Sequence, residues 1–314
     1  MTSRRKYETR LDPALWAYID AVNAWYPPEI VGLPIDKQRA VYDRMCRAFH
    51  QGRPPGVKAS DGLIAAAGRD IPVRRYQLAG KAAVAMVVYY HGGGFILGGL
   101  DSHDDICAEL CAGTGFDVLS VDYRLAPEHV HPAAFDDAVT AFEWAAAATG
   151  LPLVLCGESA GGNLAAAVAR ATRHGAAIGQ LLIYPELGGD ESAGSYIEHA
   201  DAPLLSLHDI AFYRDVRSTK AQSPDDPTFS PLRGRDFSGL PPTVIVTAEW
   251  DPLSSDGEAY RDRILAAGSK AWWHEEPELV HSFLRARKTV PAAGEAFARI
   301  VAAIAALGRG EWPY

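Results

Sequence analysis

Apolar residues recur at helical spacing near the start of the chain. Leu15, Ile19, Val22 and Trp25 fall on one face, and Pro27-Pro28 ends the run. A second helix is predicted over residues 34–49, and residues 52–55 read as a break. After that the period changes. Residues 73–78 alternate in strand fashion. Short, continuous apolar runs follow at 83–90, 116–121, 152–156, 180–184 and 243–248, with a last strand at 270–274. Helical stretches lie between them near 104–113, 133–148, 160–173 and 254–267, and a closing helix near 292–307. Apolar strands alternating with helices predict an α/β fold, a parallel sheet covered by helices on both faces.

One segment departs from this rhythm. Residues 188–231 hold no convincing strand, many polar side chains and one short helix near 207–214. An insertion of that length inside an α/β core predicts a lid. The expected organisation is a catalytic core of 51–187 and 226–314. A helical cap drawn from 1–50 and 188–225 would cover the C-terminal edge of the sheet. Trp16, Tyr18, Trp25, Tyr26, Leu204, Leu205, Leu207 and Phe212 are the cap's apolar residues and the expected roof of a pocket.

Composition adds limits. At 314 residues the chain can bury roughly 75% of its unfolded surface. A formal net charge of -9 argues against a nucleic-acid partner, and the basic run Arg4-Arg5-Lys6 is too short to reverse that. No apolar signal region follows the polar N-terminus, and the longest late apolar stretch, 300–307, is half a membrane span. Cys46, Cys107, Cys111 and Cys156 form no CxxC pair and are expected to be buried free thiols. These points place the expected location in the cytoplasm.

The strongest chemical signal is Gly157-Glu158-Ser159-Ala160-Gly161, between an apolar strand and an Ala-rich helix. G-x-S-x-G in that setting predicts a sharp strand-to-helix turn that lifts the Ser159 hydroxyl above the sheet edge. His91-Gly92-Gly93-Gly94-Phe95 follows a strand directly, as an HGGG-type oxyanion loop does. Without a following Gly-Lys-Ser/Thr or G-x-G-x-x-G spacing, a phosphate loop is the weaker alternative. The amides of Gly93, Gly94 and Ala160 are the expected oxyanion donors, and His91 is expected to anchor the loop. An acid and then a histidine must follow in chain order. Asp251, just past the strand 243–248, is the expected acid, with Glu249 as its rival. His281 combines late position, loop setting and apolar surroundings, which His274 and His208 lack. No H-E-x-x-H run or paired histidine spacing predicts a metal, and this chemistry needs no cofactor.

These motifs, with Asp122-Tyr123-Arg124-Leu125-Ala126-Pro127-Glu128-His129, Pro132-Ala133-Ala134, Gly162-Asn163 and Asp251-Pro252-Leu253, resemble the hormone-sensitive lipase-like bacterial esterases, the α/β-hydrolase fold-3 group. The resemblance spans essentially the whole chain. It implies an α/β-hydrolase fold with an eight-stranded, mostly parallel sheet and a helical cap. It further implies a Ser159–His281–Asp251 triad acting on a small-molecule ester of short to medium acyl length, and it leaves a homodimer open. The stretch 122–129 would be a buried turn that holds the oxyanion loop. Two departures stand out: Glu158 replaces the usual Asp before the nucleophile, and Val280-His281-Ser282-Phe283 lacks the glycine common beside the histidine. Lactone or amide hydrolysis by the same residues is the alternative within hydrolases. A non-catalytic receptor on this fold is the alternative of another class, expected to have lost a triad member.

Overall fold

The structure, a computed structural model, describes residues 6–27, 29–173, 175, 177–223 and 225–314. Arg4, Arg5 and Pro28 of the runs noted above lie outside the described residues. Eight strands form one sheet in the order β1-β2-β4-β3-β5-β6-β7-β8. They are β1 (Val57–Ala66), β2 (Arg69–Leu78), β3 (Met86–Tyr90), β4 (Asp117–Val121), β5 (Leu153–Glu158), β6 (Ala177–Ile183), β7 (Thr243–Trp250) and β8 (Ala271–Val280). The β1/β2 and β2/β4 pairs are antiparallel and every other pair is parallel.

Central strands are covered on both faces, which is why they read as continuous apolar runs. Along β3, Val87 and Tyr89 enter one core while Met86, Val88 and Tyr90 enter the other. Strand β1 is not among the strands that the sequence pattern predicts. Its sequence Val-Lys-Ala-Ser-Asp-Gly-Leu-Ile-Ala-Ala is largely solvent-facing, so an edge strand paired on one side leaves little apolar pattern. The last strand also runs past the predicted 270–274 to Val280, which sets His281 at its end.

Helices α1 (Pro13–Asn23), α2 (Ile35–Phe49), α3 (Asp104–Thr114), α4 (Ala133–Thr149), α5 (Ala160–Ala171), α6 (Ser195–Glu198), α7 (Leu207–Arg217), α8 (Ser254–Ala266) and α9 (Pro291–Gly308) complete the chain. Local signals set several starts. Asp12 accepts the Ala14 N–H at 2.7 Å with Pro13 in the first turn, and Ser206 and Asp209 form a reciprocal capping box before α7. Trp25, expected on the face of the first helix, lies beyond Asn23 and is exposed.

Helix α9 is the one described helix with the length and apolarity to cross a membrane. Its Ala296, Ile300, Ile304 and Leu307 are buried in the core on one face of the sheet.

Candidate active site

Strand β5 delivers the central serine. Ser159 follows Glu158 at φ 55°, ψ −119°, between strand and helix, a region costly for any residue with a Cβ and tolerated where function needs it. The turn closes because Gly161 has no side chain: a Cβ there would lie 1.9 Å from the Tyr90 carbonyl oxygen. The Ser159 N–H donates to Ile183 O at 2.9 Å, which ties the turn to β6.

Asp251 comes next, just after β7, where the α/β architecture opens its crevice. It is fully buried. One carboxylate oxygen accepts the Leu253 N–H at 2.9 Å, and the other lies 2.7 Å from His281 Nδ1. His281 Nε2 is 3.0 Å from Ser159 Oγ. The structure therefore brings Ser159, His281 and Asp251 into one hydrogen-bonded chain. Glu249 is turned elsewhere and accepts the Glu278 N–H. His274 sits on β8 beside Glu276, and His208 is exposed on α7.

The glycine loop lies opposite. Gly93 and Gly94 have φ of 120° and 61°, values that side chains rarely adopt. Gly93, Gly94 and Ala160 all line the same cavity as Ser159 and His281. Among the described residues, none of these three amide N–H groups has a protein acceptor. For Ala160 this follows from its place in the first turn of α5, whose N–H groups have no partner within the helix. The dipole of α5 points the same way.

What holds the loop was only partly legible. His91 packs face to face on Tyr123, with ring centroids 4.3 Å apart, and its Nδ1–H donates to Gly92 O at 2.7 Å. The Tyr123 hydroxyl donates to His91 O, and Ala126 N–H to Phe95 O at 2.9 Å. The 122–129 turn thus grips both ends of the loop. Burial, and then the neighbouring His103, push the His91 pKa down to about 4, so the ring is neutral near pH 7.

Glu158 is the second support. Its carboxylate accepts the Gly92 N–H and lies 2.8 Å from His103 Nε2. Burial raises its pKa, but the His103 hydrogen bond and charge, the His281 charge and the Gly92 N–H outweigh burial and hold it down to about 2. His103 carries no signal of this role in the sequence. It lies upstream of the serine, outside the order in which triad partners are sought, and no motif marks it.

The folded pKa of Glu158 lies below the unfolded carboxyl value of roughly 4.3. Its contribution is therefore present above that value and lost as pH falls toward about 2. Glu158→Gln removes the contribution. The stability gap between wild type and this variant, on the order of 2–3 kcal/mol near pH 7, should close between pH 5 and 2. Urea denaturation at a series of pH values reads it directly, and a gap that stays constant across that range refutes the prediction.

The cavity measures about 370 Å³. Tyr18 and Val22 of α1, Tyr42 and Met45 of α2, and Ile210, Phe212 and Tyr213 of α7 line it, together with Tyr26, Leu204 and Leu205. Of the expected roof residues, Trp16, Trp25 and Leu207 do not reach it. The Tyr18 hydroxyl donates to Ser282 O at 3.2 Å, which couples α1 to the residue after His281. Ser282 takes the left-handed conformation at φ 64°, where a glycine is easiest to place. Among the described residues, no group of three His, Cys, Asp or Glu side chains is arranged to hold a metal ion.

A strained serine at a strand-to-helix turn, with its histidine and aspartate in the order Ser, Asp, His, is the arrangement of an α/β-hydrolase. The alpha/beta hydrolase fold family, fold-3 group, matches residues 87–285, and the chain belongs to it. The chain is 41% identical over 258 residues to Carboxylesterase NlhH of Mycobacterium tuberculosis, covering 78% of this chain and 79% of that one. It is 35% identical to Esterase LipI of the same species over 307 residues, 94% of each. The solved structure of ester-hydrolase EH1AB1 from the metagenome of Lake Arreo, complexed with a bipyridine phosphonate derivative, superposes with a TM-score of 0.87. Its sequence identity is 32%, over 94% of this chain and 98% of that one. This protein is a serine-hydrolase-type ester hydrolase.

Proposed function

We propose that Ser159 is the nucleophile of this esterase, His281 its general base and Asp251 the acid that orients the base. The observation that carries this is the hydrogen-bonded chain of the three, facing the free amides of Gly93, Gly94 and Ala160 across one cavity. His281 Nε2 takes the Ser159 proton as Oγ bonds to the acyl carbon. The three amides receive the negative charge on the carbonyl oxygen, where preorganised donors act most strongly. As the C–O bond breaks, His281 returns the proton to the leaving alkoxide. Water, deprotonated by the same nitrogen, then releases the acid and restores the serine. Asp251 stays ionised throughout and steadies the imidazolium. A neutral phosphonate ester tests the assignment: labelling must map to Ser159, and covalent mass on any other serine refutes it.

Residues 1–50 and 188–225 act in this reading as a cap, since α1, α2 and α7 supply much of the cavity wall. A finite cavity with many apolar lining residues supports short to medium acyl chains as substrates. Each methylene buried adds about 0.8 kcal/mol, roughly fourfold in kcat/KM, until the wall is reached. Across a series of p-nitrophenyl esters the optimum is expected between C4 and C8, with C16 far below it. A rate still rising at C16 defeats the cap reading.

The same proposal includes cytoplasmic residence and a homodimer. All four cysteines are unpaired and buried, the state a reducing compartment preserves. Strand β8 is an open edge that carries exposed Trp272 stacked on Tyr314, an edge that a second copy would cover. Sedimentation equilibrium giving only the 33.8 kDa monomer would remove the dimer.

A further inference from the structure

Three arginines line the cavity that holds Ser159: Arg214, Arg217 and Arg285. Two have a carboxylate beside them within the protein. Arg214 pairs with Glu191, and Arg217 Nη1 lies 3.5 Å from a carboxylate oxygen of Glu186. Arg285 differs. Among the described residues it has no ion pair. It donates to Ser102 O at 3.2 Å, the upper end of the usual range, and to the Tyr42 hydroxyl at 3.4 Å, beyond it, with its guanidinium 5.8 Å from the Tyr42 ring centre. Asp105, the carboxylate whose charge acts on Arg285, is already engaged at 2.7 Å from Arg287.

Placement makes the guanidinium relevant to substrate. Arg285 stands four residues after His281, in the short helical turn Phe283–Ala286. It lines the cavity beside Tyr42. A partly buried cation without a counter-ion costs desolvation energy that a bound anion recovers. A guanidinium also matches a carboxylate in fork geometry. A phosphate fits less well, because its second negative charge would be buried without a partner.

We propose that Arg285 recognises a carboxylate on the substrate, so that the preferred esters carry one free acid group away from the scissile bond. The proposal rests on Ser159 being the nucleophile of this cavity. The acid group belongs either to the acyl arm, as in a dicarboxylic acid monoester, or to the alcohol arm.

Two substrate pairs separate these arms. p-Nitrophenyl hemiadipate against p-nitrophenyl hexanoate reports the acyl arm, and 4-carboxyphenyl butyrate against phenyl butyrate reports the alcohol arm. In one pair the wild-type enzyme should hydrolyse the anionic ester at least as well as the neutral one, despite the chain's net charge of -9. Arg285→Met should lower that anionic-to-neutral kcat/KM ratio at least tenfold. Arg285→Lys keeps the charge, loses the fork and should lower it several-fold, which keeps the test decisive if Arg285→Met does not fold. A ratio that Arg285→Met leaves in place, with both esters falling together, makes the residue structural and overturns the proposal. So does a wild-type ratio below one tenth in both pairs. Labelling of wild type by a neutral phosphonate separates the premises: labelling at Ser159 with an unchanged ratio removes only the role of Arg285, whereas no labelling removes the nucleophile as well.

Discussion

Ser159→Ala is expected to leave less than about 1% of wild-type kcat/KM on a short acyl ester, because removing a triad member leaves only what binding and the oxyanion hole supply. The fold should be unaffected. The substitution removes one oxygen, whose hydrogen bond runs to His281 at 3.0 Å, and keeps the Cβ. The unusual φ of 55° is thus neither relieved nor worsened. Thermal stability should stay within about 0.5 kcal/mol of wild type, as for a substitution that opens no core cavity. The measurement is kcat/KM beside a melting curve, in a preparation free of other esterases. Residual activity above that level in a folded variant would show that Ser159 is not the nucleophile.

The second large effect belongs to Asp251→Asn, expected to lower kcat by roughly 10⁴ while substrate binding is retained. The environment of Asp251 dictates how the amide must sit. One oxygen accepts the Leu253 N–H, so the side-chain carbonyl of asparagine takes that position. Its NH2 then faces His281 Nδ1, which has to accept rather than donate. The ring proton moves to Nε2, the atom 3.0 Å from Ser159 Oγ, and the base is lost. Steady-state kinetics of the folded variant read the effect. An unchanged kcat would hand the role to another acid, although Glu249 is committed to the Glu278 N–H.

Much of this protein is legible because its chemistry depends on local backbone. The sharp turn around Ser159 needs glycine where a Cβ would strike the Tyr90 carbonyl, and the oxyanion loop needs residues that adopt positive φ. Both demands leave marks in consecutive positions. The sheet shows for a related reason: strands buried on both faces are mostly apolar, as in β3, which is unbroken, and in β4 and β5, where polar residues are few. Chain order, with position after a strand for the acid and in a loop for the base, made Asp251 and His281 the expected partners and left Glu249 as the acid's rival.

Other features have no such local cause. Strand β1 is held by one antiparallel neighbour and faces solvent, so neither burial nor a special turn leaves a pattern in it. His103 reaches Glu158 across 55 residues, a pairing set by how the start of α3 packs over the strand ends. Which cap residues form the wall was also decided by packing. Tyr18 and Tyr26 face the cavity, whereas Trp25, equally apolar and one residue away from Tyr26, is exposed. Three arginines near the same cavity are alike in sequence, yet only the tertiary structure brings carboxylates to two of them. The residues of this chain determine by themselves the turns, the strand runs and the order of the reacting groups, because steric and burial demands act on neighbours along the backbone. The partners of those groups are set by contacts between distant segments, whose distances exist only after the sheet and its cap have packed.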